Sequence, residues 1–167
     1  MRERLVELRE PIRIAVETPG DPWMRWRYAL HLHDALGRTA LVERRLEVAL
    51  AAADAEIVGA RRYKVPKVEA RAQQLRGAAL LAMDRRPDAE AALRDAVRIA
   101  GAIAYPRTTW EALGLLAEVA RRDGKSEEAA RIEAQRRTVL DAAAASIADA
   151  DLRAGLARSA SQIVPRD

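Results

Sequence analysis

Gly124-Lys125-Ser126 is the stretch of this 167-residue sequence that comes closest to a phosphate-binding loop. Such a loop needs another glycine five residues upstream and a strand in front of it, so that successive backbone N–H groups can turn onto a phosphate. Val119 stands at that upstream position and the flanking residues have a helical period, so the stretch reads as a hairpin turn. His31 and His33, the two histidines, lie about 200° apart around a helix and cannot point at one metal ion from one face. With no cysteine in the chain, disulfides, thiolate catalysis and Cys-ligated metal sites are excluded. The acidic pairs Glu127/Glu128 and Asp88/Glu90 sit at helix starts, where the helix dipole accounts for them. No catalytic residue, no metal site and no cofactor is expected from these patterns, and the chain is not expected to be an enzyme.

Arginine is the remaining chemistry-bearing residue. Nearly all of the 29 basic residues are arginine, with lysine only at 64, 67 and 125, and the pairs Arg61/Arg62, Arg85/Arg86, Arg121/Arg122 and Arg136/Arg137 recur along the chain. Most of these pairs fall at helix ends or turns, where a cation favours the negative end of the dipole. Read functionally, they would make a basic rim for an acidic peptide or a nucleic-acid backbone. Acids are interspersed almost one for one, leaving a formal charge of +4, and only Tyr63 interleaves an aromatic ring with the cations. Nucleic acid is therefore the alternative partner and not the favoured one.

The elements that must carry these side chains are helices. Apolar residues recur at the 3.6-residue period almost throughout and no run alternates like a strand, so the fold class is all-α. Eight helices are predicted, over 2–17, 23–36, 40–58, 67–83, 87–103, 108–122, 126–146 and 150–163. Asp21 before Pro22, Thr108 with Glu111 as a capping box, Ser126, Pro87 and Asp149 mark starts; Gly37 and Gly124 mark ends. Pro11 is expected to kink or split the first helix, and Gly59 to Pro66 is the longest expected link. One domain over 1–167 is expected, with hairpins over 23–58, 67–103 and 108–146. The chain is charged within its first four residues and lacks a 7–15-residue apolar run there, and no stretch is apolar for about 18 residues, so neither a secretory signal nor a membrane span is expected, and the cytoplasm is the expected location.

Gly77, Leu80, Ala89, Leu93 and Ala96 place a small residue, a large one, alanine, a large apolar residue and alanine at the spacing of two closely packed antiparallel helices. This segment resembles a tetratricopeptide repeat. A first unit on the same frame runs from Trp26 and Leu30 through Gly37 and Val42 to Leu46 and Ala49. A third has Leu113, Leu116, Ala117, Gly124 and Ala129, with Glu133 and Arg136 where apolar residues belong. The units would be spaced by about 47 and then about 40 residues, against roughly 34 in the family. Residues 60–164 also resemble the C-terminal repeat region of multidomain bacterial signalling proteins.

The resemblance implies a short solenoid of about three hairpins, closed by the 150–163 helix, that binds a protein or peptide partner in a concave groove. Carried over by position, that groove comprises Met24, Arg27, His31 and Asp34; then Arg71, Gln74, Ala78 and Leu81; then Glu111, Gly114, Glu118 and Arg121. Family members that clamp a terminal carboxylate use Lys and Asn at such places, whereas this chain has no asparagine and offers Arg27 and His31. Arg27 and Arg71 are expected to act as anion contacts. Self-association through the 2–17 helix, with Leu5, Leu8 and Ile12 on its outer face, is a further expectation.

Overall fold

The computed structural model describes residues 22–161; the side chains of 22–25, 157 and 159–161 lie outside that description, as do both termini. Among the described residues seven helices follow one another: α1 Pro22–Val42, α2 Leu46–Arg62, α3 Pro66–Ala82, α4 Arg86–Ala102, α5 Pro106–Arg122, α6 Ser126–Ala145 and α7 Ala150–Ser161. The fold is all-α, built from antiparallel hairpins stacked side by side. The expected 2–17 helix, the Pro11 kink, the Asp21 cap and the outer face of Leu5, Leu8 and Ile12 lie outside the described residues.

A 20-residue rule organises the stack. Helices α2, α3, α4, α5 and α6 begin at residues 46, 66, 86, 106 and 126, and each is preceded by a three-residue link. The middle residue of every link is left-handed: Arg44, Lys64, Asp84, Ala104 and Gly124 have φ between 51° and 72°. Around each of them the backbone closes in the same way. In the first link, the Arg44 N–H donates to Leu41 O and the Arg45 N–H to Ala40 O; in the fourth, Ala104 donates to Gly101 and Tyr105 to Ala100. This paired pattern satisfies the last carbonyls of one helix and reverses the chain into the next. Glycine is the usual occupant of the left-handed position, yet only Gly124 provides it here.

The break expected at Gly37 does not occur. Helix α1 runs through it, because Gly37 serves a close approach: a Cβ there would lie 2.5 Å from Leu75 Cδ2 and 3.3 Å from the Ala52 Cβ. Gly77, 40 residues on, does the same against Leu93, and Ala117 completes the series. Opposite them stand Ala49, Ala89 and Ala129, all buried. The first two units are therefore offset by 40 residues, not 47, and Leu30 is equivalent to Ala70, not to Gly77. The link expected over Gly59 to Pro66 shrinks to Tyr63–Val65, since α2 continues to Arg62.

Two caps differ from expectation as well. Thr108 is a buried residue in the first turn of a helix that already begins at Pro106, and it forms no capping box: the Thr109 hydroxyl donates to Tyr105 O while Glu111 pairs with Arg107. Ser126 is the first residue of α6 rather than its cap, with Lys125 as the boundary. Asp149 does cap α7, its Oδ1 accepting from the N–H groups of Asp151 and Leu152.

Leu80, Leu93, Leu113, Leu116 and Val119 form the largest apolar cluster, between α3, α4 and α5, with Ile132 and Val139 of α6 packed against it. Between α1, α2 and α3 the core is mostly alanine, with Ala40, Ala49 and Ala79 meeting directly. Each helix packs on the next, but α1 also packs on α3 and α3 on α5, whereas the second helices of the hairpins have no comparable contact with one another. The layer α1–α3–α5 is thus the more tightly spaced of the two. Helix α7 leans on α6. Among the described residues no helix is long and apolar enough to cross a membrane.

Candidate functional site

Two hollows open along the α1–α3–α5 layer. The first, of about 280 Å³, is lined by Arg38 from α1, Arg71 from α3, and Tyr105, Arg107, Thr108 and Glu111 at the start of α5. The second, of about 310 Å³, lies toward the C-terminal ends of the same helices; Leu41, Ala78, Leu81, Ala82 and Leu115 make its walls and Val42, Arg44, Glu118 and Arg122 its rim.

The polar hollow is held by three ion pairs, one of which crosses between helices. Asp34 accepts from Arg38 one turn along α1 at 2.9 Å, and its other oxygen accepts from Arg71 on α3. Arg107 donates to Glu111 at 3.1 Å. Three guanidiniums therefore meet two carboxylates, and Lys67 adds a fourth cation nearby, its Nζ 4.6 Å from the centroid of the Tyr105 ring.

Behind this cluster sits Glu56 on α2, only 1% exposed, with Oε2 lacking a hydrogen-bond partner. Burial, reinforced by the neighbouring Asp34 charge, raises its pKa to about 8 against the opposing pull of Arg71 and Arg38. At neutral pH Glu56 is chiefly protonated and leaves the arginine excess uncancelled. His33, half-buried on α1 with Nδ1 unpartnered, has its pKa lowered by the same desolvation.

The residues expected from sequence divide among several places. Arg71 and Glu111 line the polar hollow, and Asp34 ties Arg71 to Arg38 beside it. Ala78, Leu81 and Glu118 line the apolar hollow. Arg121 is exposed and donates to Glu118. Gln74 is buried with Oε1 unpartnered, and Gly114 faces α6, where its Cβ position would be 3.2 Å from Arg136 Nε. Arg27 is exposed beside the Trp26 ring, and His31 is exposed; neither lines either of these two hollows. Met24 lies on α1, with its side chain outside the described residues.

Sequence reasoning missed Arg38, Leu41, Arg44, Arg107 and Leu115. The 40-residue offset was the available signal: it aligns Arg38 with Ala78 and Glu118, and Leu41 with Leu81 and Arg121. Reading Gly37 as a turn moved the first unit by seven residues, two helical turns, so that Met24 and Arg27 took the places of His31 and Asp34, and His31 and Asp34 those of Arg38 and Leu41.

The arginine pairs are largely engaged within the chain. Arg85 pairs with Asp88, Arg86 with Asp84 and Asp123, Arg61 with Glu69, and both Arg121 and Arg122 with Glu118. Among the described residues no group of three or more His, Cys, Asp or Glu side chains is placed to hold a metal ion. No protein-family model, no curated protein and no solved structure matches the chain.

Proposed function

We propose that this chain is a non-catalytic interaction module of tetratricopeptide-like repeats, working in the cytoplasm as a scaffold or regulatory part, that holds a peptide or a partner helix along the α1–α3–α5 wall. The observation that carries this reading is the packing of α1 on α3 and α3 on α5, which turns three first helices into one continuous inner surface with both hollows on it. The small-residue series Gly37, Gly77 and Ala117 opposite Ala49, Ala89 and Ala129 supports the tetratricopeptide-like assignment, although the unit is 40 residues long against roughly 34. Recognition by an inner wall of parallel helices uses side chains on a rigid frame, so little ordering entropy is lost on the receptor side.

Engagement of the arginine pairs in internal ion pairs weighs against a nucleic-acid rim, because phosphate binding depends on cations available to displace counterions. Amide shifts of the full chain on titration with peptides selected from a random displayed library test the reading. Perturbations concentrated on α1, α3 and α5 are expected; perturbations confined to α2, α4 and α6 would sink it.

A further inference from the structure

We propose that the wall selects a segment carrying a carboxylate and, a few residues away, a bulky apolar side chain: the carboxylate enters between Arg38, Arg71 and Arg107, and the apolar group fills the hollow between Leu41, Ala78, Leu81 and Leu115. This rests on the reading of the α1–α3–α5 layer as a binding wall and specifies what that wall accepts.

Charge complementarity chooses the partner. The polar hollow holds more guanidiniums than carboxylates, and the one buried acid behind it, Glu56, is chiefly protonated at neutral pH. Each guanidinium has five N–H donors in a planar fork, and Asp34, shared between Arg38 and Arg71, leaves donors on both for an incoming carboxylate. At the apolar hollow, Val42 is 83% exposed and Arg44 makes no ion pair among the described residues, so a second acid near the apolar group has a cation to meet. A basic segment would face Arg38, Arg44, Arg71 and Arg107 with little in return.

The spacing of the ligand follows from the helix rise. Arg71 and Ala78 are seven residues apart on α3, and Arg107 and Leu115 eight on α5, about 10–12 Å along those two helices, whereas Arg38 and Leu41 on α1 are only three residues, about 4–5 Å, apart. A ligand lying along α3 and α5 has the longer distance to span. An extended peptide spans that distance in about three residues and a helical one in about seven. The acid and the apolar residue therefore stand at i and i+3 in an extended ligand, or at i and i+7 in a helical one.

Fluorescence anisotropy of the full chain with short labelled peptides tests this, using Glu and Leu at the two spacings, the same peptides with Lys for Glu, and the same with Ala for Leu. The Glu/Leu peptide is expected to bind at least about tenfold more tightly than either control. Arg71→Glu should invert the preference between Glu and Lys peptides, and Val42→Glu or Arg44→Glu, both at exposed positions, should weaken the Glu/Leu peptide without lowering the melting temperature. Equal binding of Glu and Lys peptides, or no inversion by Arg71→Glu in a variant that still melts cooperatively, overturns the proposal. If none of these peptides binds while a library-selected peptide of other composition perturbs α1, α3 and α5, the ligand chemistry is wrong and the binding wall stands. If bound peptides are insensitive to all three substitutions, the wall itself is wrong.

Discussion

Asp34 on α1 and Arg71 on α3 are joined side chain to side chain across 37 residues of sequence, and Arg38 shares the same carboxylate. The side chain of Asp34 is 11% exposed and that of Arg71 23%, so the pair is largely withdrawn from water and screened less than a surface pair. Removing one partner of such a pair costs more than the pair contributes, because the other charge stays desolvated. Asp34→Ala is expected to lower the unfolding free energy by about 2–3 kcal/mol in urea titrations, and Asp34→Ala combined with Arg71→Leu to recover part of that loss. A double variant no better than Asp34→Ala would show that the charges are not coupled.

Glu56 makes stability depend on pH. Its folded pKa of about 8 lies above the ordinary 4.5, so the folded chain binds the proton more tightly than the unfolded chain. The stabilisation from that proton is complete below pH 4.5 and is lost as the pH rises through 8. Between those limits Glu56 is expected to make the melting temperature fall as pH rises, and Glu56→Gln to remove that part of the slope, with the variant more stable than the parent at pH 8 by on the order of a few kcal/mol. His33 contributes in the opposite sense, its lowered pKa costing stability as the pH falls through 6.5. Thermal melts of parent and Glu56→Gln chains at several pH values check the difference; parallel curves would refute it.

Two glycines inside helices should respond in opposite ways to alanine. At Gly77 the added methyl would meet Leu93 Cγ at 2.5 Å, so Gly77→Ala is expected to destabilise by about 1–3 kcal/mol through overpacking, outweighing the better helix propensity of alanine. At Gly101 nothing lies within 4 Å, and Gly101→Ala is expected to stabilise by about 0.5–1 kcal/mol. Denaturation midpoints of the two variants, measured side by side, decide the matter.

The links offer a separate gain. Ala104 has φ of 51°, a left-handed conformation that costs an L-residue with a Cβ roughly 1–2 kcal/mol. Ala104→Gly is expected to raise the melting temperature, and Gly124→Ala, at φ of 72°, to lower it. An unchanged pair of melting temperatures would mean that the five links do not share the geometry described above.

Local residues made much of the fold legible. Proline at 87, the alanine-rich runs and the small residues at Gly77 and Ala89 predicted helices packed as close hairpins, and the 40-residue spacing of the second and third units emerged correctly. The first unit was misplaced because Gly37 carries two meanings, helix end and close approach, that one sequence does not distinguish; only the position of Leu75 chooses between them. The 20-residue rhythm was hidden for a related reason. Three of its five left-handed residues are Arg, Lys and Ala, types that local preference does not place there, and only Asp84 and Gly124 are of types that favour it.

What the sequence by itself determined is the helical period, the hairpin alternation and the absence of cysteine chemistry, since each follows from residue types over a few turns. What only the tertiary structure decided is which charges meet. Asp34, Arg38, Glu56, Arg71 and Arg107 come from four helices, and their pairing, with the raised pKa of Glu56, depends on the few ångströms by which α1, α2, α3 and α5 are offset as they stack. Electrostatic energies vary steeply with distance and burial, whereas helix formation depends on neighbours along the chain.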